Sequence, residues 1–289
     1  MSVEKYKTIA FQGEKGAYSD MSCRAMFPDL ETVPCNSFDA AFRAVMDGDA
    51  DLAMIPVDNT IAGRVADVHH LMPQGDLFII GEHFQPVNHM LLGVKGSKIE
   101  DVKHVHSHVH ALPQCRKFLH DLNVKSHVHA DTAGAAQEIA KKSDKAHGAI
   151  ASSLAAEIYD LEILARDIED SSHNVTRFLI LSPEPNFPEP DEDDIITSLL
   201  FEVRNIPASL YKALGGFATN GLSMTKLESY VDENFQAARF YCDIEGHPEN
   251  PPFARALEEL SFFAKDVKLL GTYKMHPFRK SYSVTNIEI

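Results

Sequence analysis

The chain of 289 residues is long enough for two modest domains with a real core, and its 44% hydrophobic and 24% charged residues are ordinary for a globular protein. A formal net charge of −15 argues against nucleic acid as a partner, since phosphates reward a basic face. No apolar run approaches the length of a membrane span, and an anionic ligand has to be drawn in by local donors inside a cleft rather than by the overall field.

In chain order, the polar start over residues 1–7 lacks the basic and apolar regions of an export signal. A strand is expected over 8–12 and a helix over 18–26, then a helix capped by Ser37 with Phe38, Ala41, Phe42 and Val45 at helical spacing. An apolar strand over 51–57 stops at Asp58-Asn59. A helix over 63–72 and strands over 77–84 and 90–94 follow. The pattern continues with strand 103–106, helix 111–121, strand 124–129, helix 132–140, strand 148–151 and helix 154–159. Such alternation predicts an α/β domain with helices on both sheet faces, where ligands sit beyond the carboxyl ends of the strands. Gln12-Gly13, Asp58-Asn59, Ser107-His108 and Asp131-Thr132 all fall at such ends.

Asn174-Val175-Thr176-Arg177-Phe178 leads into the apolar run Leu179-Ile180-Leu181 and sets a hydroxyl beside a guanidinium. Two readings stand open: a strand start with a surface arginine, or a pair suited to an anionic substrate whose leaving group needs a hydrogen bond. The other motifs are equally double. Asn59, followed by Thr60, is an Asx cap or a ligand for a hydroxyl or carboxylate; Ser107, before His108, is an N-cap or part of an anion site; Thr132 starts a helix or points its hydroxyl into a cleft.

Residues 182–194 hold four prolines and an acidic cluster, which disfavour helix and prefer water, so they read as an interdomain linker. Beyond it come strand 195–203, helix 207–219, strands 222–230 and 235–244, helix 253–263 and strand 267–272. That order is the ferredoxin-like split unit. Its residues resemble an ACT domain.

Nucleotide binding is rejected, because Gln12-Gly13-Glu14-Lys15-Gly16-Ala17 has neither the dinucleotide spacing nor a lysine-serine pair. His104, His106, His108 and His110 alternate, with His127 and His129 nearby, yet no carboxylate or cysteine stands at a metal-site spacing, so no metal is expected. Cys23, Cys35, Cys115 and Cys242 are isolated, the pattern of reduced core residues in a cytoplasmic protein.

Taken together the motifs resemble the prephenate dehydratases over nearly the whole chain. The resemblance rests on Thr176-Arg177-Phe178, Pro56 with Asn59, Ser107-His108 with Ala111-Leu112 and Gln114-Cys115, and Ala149-Ile150-Ala151-Ser152. In the second half Leu210-Tyr211-Lys212, Glu228-Ser229 and Leu270-Gly271 carry it.

It implies a catalytic domain over 1–181 built as two periplasmic-binding-protein-like α/β lobes around a cleft, the linker over 182–194, and an ACT regulatory domain with tail over 195–289. The implied activity is decarboxylating dehydration of prephenate to phenylpyruvate, a lyase step toward phenylalanine that needs no cofactor. The enzyme should be monofunctional, since no helical chorismate mutase segment precedes Lys7. Thr176 would serve the departing hydroxyl and Arg177 a carboxylate. Asn59, Thr60, Ser107, His108, Thr132 and Asn174 would orient the substrate, and Phe178 would wall its ring. Ala208, Leu210, Glu228 and Ser229 would bind phenylalanine as a feedback ligand, and the chain would form a homodimer or homotetramer. Departures from the family pattern are Asp58 for Glu, Thr60 for Ser, Val109-His110 for Pro-Gln, Ala208-Ser209 for Gly-Ala and Tyr230-Val231 for Arg-Pro. Arogenate dehydratase, with an amino group in place of the keto group, and a non-catalytic amino-acid sensor are the competing readings.

Overall fold

The computed structural model describes residues 5–73, 75–231 and 237–283. The ends of the expected first segment and tail, and Phe235 of the expected third strand after the linker, lie outside the described residues. The chain divides into two compact units, Met1–Gly75 with His83–Leu179, and Asp76–Glu82 with Ile180–Ile289.

The first unit opens with β1 (Thr8–Gln12), α1 (Tyr18–Met26), β2 (Glu31–Cys35), α2 (Phe38–Met46), β3 (Leu52–Asn59), β4 (Gly63–Arg64), α3 (Ala66–Leu71) and β5 (Phe78–Pro86). Ser37 caps α2 as its sequence predicts, accepting from Ala40 N at 3.1 Å. A second group follows: β6 (Met90–Gly93), β7 (His104–His108), α4 (Arg116–Leu122), β8 (Lys125–His129), α5 (Thr132–Lys142), β9 (His147–Ala151), α6 (Ser153–Ile158) and β10 (Glu162–Ala165). The chain then returns to the first sheet as β11 (Val175–Ser182).

Two sheets result, ordered β2-β1-β3-β11-β5 with β4 on β3, and β10-β6-β9-β7-β8. β1 runs parallel to β2 and β3, and β7 parallel to β8 and β9, so the carboxyl ends of those strands point the same way within each sheet. The chain crosses from one lobe to the other twice. The crossings are stitched side by side by Val87 N to Asn174 O at 2.8 Å and Ile168 N to His89 O at 3.0 Å.

The loop after β1 is held against the second lobe by Ser152 Oγ, which donates to Gly16 O at 2.5 Å. Gly16 has φ +92°, and a Cβ there would stand 2.8 Å from the Ala155 backbone, so this loop end accepts glycine alone.

Several elements depart from expectation. β2, β4 and β10 were not legible; the Pro34 within β2 suits it to the edge position it occupies. The expected helix over 111–121 begins instead as a 3-10 turn, Leu112–Cys115, because Pro113 opens it. The expected helix over 63–72 starts only at Ala66, since Gly63 and Arg64 pair back onto Asn59 and Asp58.

In the second unit β12 (Ile195–Val203), α7 (Ser209–Thr219), β13 (Met224–Val231), β14 (Ala237–Glu245), α8 (Pro251–Phe263) and β15 (Ala264–Lys274) precede a short helix α9 (Phe278–Ser283) that the sequence pattern did not announce. Its antiparallel sheet is ordered β13-β14-β12-β15, the ferredoxin-like arrangement that the element order predicts. Phe201, Phe217, Phe240, Phe253 and Leu260 fill its core. Residues 183–194 form neither helix nor strand.

The alternating histidines form a block on neighbouring strands. His104 Nδ1 lies 3.0 Å from His127 Nε2, and His106 Nε2 lies 2.8 Å from His147 Nδ1, with His104 stacked on His147 and His106 on His127. Among the described residues no group of three or more His, Cys, Asp or Glu side chains is placed to hold a metal ion. Burial, reinforced by His127, Lys142 and His147, lowers the His106 pKa from 6.5 to about 4.

As pH falls through 6.5 the unfolded histidine binds a proton that folded His106 refuses, so the His106 contribution to stability is lost progressively from about pH 6.5 to about pH 4. Thermal unfolding measured across this range should show a decline, and His106→Gln should make it shallower, with the other histidines of lowered pKa retaining their share.

Candidate active site

β11 sets the geometry of the site through its period of two. Thr176 is half-buried and faces a cavity of about 700 Å³, while Arg177, on the opposite face, is only 6% exposed. Arg177 Nη1 lies 3.9 Å from Asp58 Oδ2. The expectation that Thr176 and Arg177 both meet substrate is therefore corrected: adjacent strand residues point to opposite faces, and Arg177 does not line the cavity. Phe178 is corrected too, since it packs in the core at 1% exposure rather than walling the cavity.

Asn59 ends β3 and joins the two readings made of it. Its Oδ1 accepts from Ile61 N at 2.9 Å and Ala62 N at 2.7 Å, the Asx turn that closes the β3–β4 hairpin. Its Nδ2 simultaneously donates to Thr176 Oγ1 at 2.9 Å and Asn174 Oδ1 at 2.8 Å. Thr60 is structural: its hydroxyl donates to His173 O at 2.6 Å and accepts from Val175 N at 3.0 Å. Asn174 is buried and passes the chain on, with Nδ2 donating to Gln114 Oε1 at 2.8 Å.

From the second lobe, Thr132 and His108 line the cavity. Thr132 opens α5, where Asp131 caps Gly134 N at 2.6 Å. Burial, and then neighbouring His110, push the His108 pKa down.

Ser107 is not an N-cap and does not reach the cavity. It lies inside β7, fully buried, with its hydroxyl donating to Ile150 O at 2.7 Å. Ser107→Ala is thus expected to lose about 1 kcal/mol of stability while leaving KM within error, which paired denaturation and kinetic measurements would test.

Among the lining residues that the motifs did not single out for the site are Arg64, Gln114, His89 and Tyr18. Arg64 comes from β4 and lines the cavity. Gln114 sits in the 3-10 turn after β7, within a stretch whose pattern suggests plain helix. His89 Nε2 lies 2.9 Å from Gln114 Oε1, and its Nδ1 lies 2.9 Å from the Tyr18 hydroxyl, which is 2.7 Å from Asn88 O. Burial lowers the His89 pKa, with Gln114 and Glu169 acting the other way, and burial raises that of Tyr18.

In the second unit Ala208 caps α7 with φ +57°, a left-handed conformation that suits the glycine of the family pattern better than alanine. Leu210 is partly buried against the core, and Glu228 and Ser229 lie on β13 opposite Tyr241 and Phe240.

The cavity is thus lined by hydroxyl-, amide- and guanidinium-bearing residues, a set suited to a small hydroxylated anion. Relatives point the same way. The prephenate dehydratase family model matches residues 9–186. The bifunctional N-acyl-homoserine lactone acylase/prephenate dehydratase of Komagataeibacter europaeus is 50% identical over 275 residues, covering 95% of this chain and 98% of the relative. Arogenate dehydratase/prephenate dehydratase 1, chloroplastic, of Arabidopsis thaliana is 41% identical, over 92% of this chain and 72% of its own length. The solved structure of prephenate dehydratase from Arthrobacter aurescens in complex with L-Phe is similar with a TM-score of 0.85 at 27% identity, covering 92% of this chain and 90% of that one. A cavity built around Asn59 and Thr176, on this fold and with these relatives, leaves one assignment: the chain belongs to the prephenate dehydratase family.

Proposed function

We propose that the chain converts prephenate to phenylpyruvate and that Thr176 serves the departing hydroxyl. The overall change takes prephenate dianion and one proton to phenylpyruvate anion, carbon dioxide and water. The bond to one carboxylate breaks, its electron pair makes the ring aromatic, and the C–O bond breaks as the hydroxyl leaves with the proton.

The observation that carries this reading is the 2.9 Å hydrogen bond from Asn59 Nδ2 to Thr176 Oγ1. A hydroxyl that accepts from an amide has its own proton left to give, and the cavity lies on that side. Thr176 then stabilises charge developing on the leaving oxygen. Threonine is a weak acid, so its proton moves only together with C–O cleavage or through water.

Arg64 is assigned to a substrate carboxylate. Thr132 and His108 orient the substrate from the second lobe, and Arg177 supports the wall by pairing with Asp58.

Phenylalanine is proposed as the regulatory ligand of an ACT-type second unit, supported by the relative solved with L-Phe and by retention of Leu210, Glu228 and Ser229. Leu227 and Val231, exposed on edge strand β13, support self-association of that unit as a homodimer or homotetramer. The four free cysteines support a cytoplasmic setting.

The deciding experiment measures phenylpyruvate release from prephenate with and without phenylalanine. Release that phenylalanine suppresses is expected; no release from folded protein would overturn the proposal. Parallel assays with arogenate and with an N-acyl-homoserine lactone follow from the names of the relatives that match nearly the whole chain, and measure whether this chain shares those substrates.

A further inference from the structure

The polar chain in the cavity wall has a fixed direction. At one end the backbone amides of Ile61 and Ala62 can only donate, so the oxygen of the Asn59 amide faces them and its nitrogen faces Asn174. Asn174 therefore presents its oxygen to Asn59 and its nitrogen to Gln114, whose Oε1 accepts at 2.8 Å. The same Oε1 lies 2.9 Å from His89 Nε2. An amide oxygen has no proton to give, so Nε2 must carry one.

At the other end Tyr18 has one hydroxyl proton and two neighbours, Asn88 O at 2.7 Å and His89 Nδ1 at 2.9 Å. The carbonyl is an acceptor only and is the nearer of the two. With the proton directed there, Nδ1 faces lone pairs of the phenol oxygen and needs a proton as well. Both ring nitrogens thus face acceptors. A doubly protonated ring satisfies every contact, and a neutral ring leaves the chain one proton short.

Glu169 stands close, accepting from His89 N at 2.8 Å and Asn88 Nδ2 at 3.1 Å. Cys115 of the 3-10 turn acts electrostatically on Tyr18 of α1, and Asp170, whose backbone amide donates to Gln114 O, acts on Cys115. Burial raises the Tyr18 and Cys115 pKa values and so keeps both groups neutral. The His89 ring is itself only 2% exposed, which disfavours a charge in the empty site. A bound dianion reverses that balance.

We propose that His89 is a positioning residue that takes up one proton from solvent when a dicarboxylate substrate enters the cavity. The inference rests on the assignment of this cavity to prephenate. The added charge completes the polar chain that orients Asn59, and through it Thr176, while offsetting part of the substrate's charge. Side-chain amides do not pass protons along, so this proton stays on His89 and is distinct from the one that leaves with the hydroxyl.

Calorimetric titration of prephenate into the slow Thr176→Ala variant, at pH 7.5 in buffers of different ionisation enthalpy, reads the proton count directly. Uptake approaching about one proton per site is expected, with its loss in both His89→Gln and Tyr18→Phe. Tyr18→Phe keeps the ring and its packing, so the test survives if His89→Gln fails to fold. Clear binding with buffer-independent heat would overturn this inference alone. Uptake unchanged in Tyr18→Phe would place the proton elsewhere and overturn it too. Absence of binding would remove the substrate assignment and this inference together.

Discussion

Replacing Thr176 by alanine is expected to lower kcat for prephenate by roughly a hundred- to ten-thousand-fold, with KM changed by less than about threefold. The asymmetry follows from what the hydroxyl does. Its contact with the departing oxygen strengthens only as charge develops there, so it acts on the transition state more than on the bound substrate. The substitution leaves Asn59 Nδ2 with Asn174 Oδ1 at 2.8 Å and Val175 O at 3.3 Å, so the turn that Asn59 closes persists and the loss reports on chemistry. Thr176→Ser restores the donor and should recover most of the rate. Single-turnover kinetics would check both variants, and a kcat within twofold of the parent in the alanine variant would remove Thr176 from the reaction.

The largest expected loss of stability lies in the second unit. Arg279 of α9 meets Glu82 with two bonds, Nε to Oε1 at 2.7 Å and Nη2 to Oε2 at 2.8 Å, and lies 3.5 Å from Asp243 Oδ2. Both carboxylate side chains are fully buried. Arg279→Ala withdraws the guanidinium from between two buried acids and is expected to destabilise by about 3–5 kcal/mol, whereas Arg279→Lys restores charge but not the forked geometry and recovers only part. Urea unfolding of the full chain would measure this, and a loss below about 1 kcal/mol would show that the acids are served otherwise.

The fold was legible where local pattern decides it. The βαββαβ order beyond the linker carried the ferredoxin-like unit, and the apolar run after Phe178 carried β11. Motif position put Asn59, Thr132, His108 and Thr176 at strand ends and helix starts, and these four line one cavity. The failures are equally physical. Thr176 and Arg177 cannot both face a cavity from one strand, which the period of two implies but motif proximity obscured. Ser107 stands one residue inside β7, which runs two residues past the 103–106 segment that the pattern predicts. His89 has no local signature, and Gln114, although part of a motif, acquires its role from Asn174 and His89, partners distant in sequence. The Arg279–Glu82 pair spans 197 residues, and no window of sequence contains it.

The amide chain through Asn59 and Asn174 carries a hazard of chemical ageing, because asparagine deamidates when the next backbone nitrogen attacks its side-chain carbonyl. Here the two attacking nitrogens restrain each other's strand. Thr60 N donates to Val175 O at 3.0 Å, and Val175 N donates to Thr60 Oγ1 at 3.0 Å. Neither is free to close a succinimide ring. The same pair of bonds that aligns β11 beside the β3 turn therefore preserves the covalent integrity of the amides, and a Thr60→Val variant should acquire a one-dalton mass gain on storage at Asn174 before the parent does.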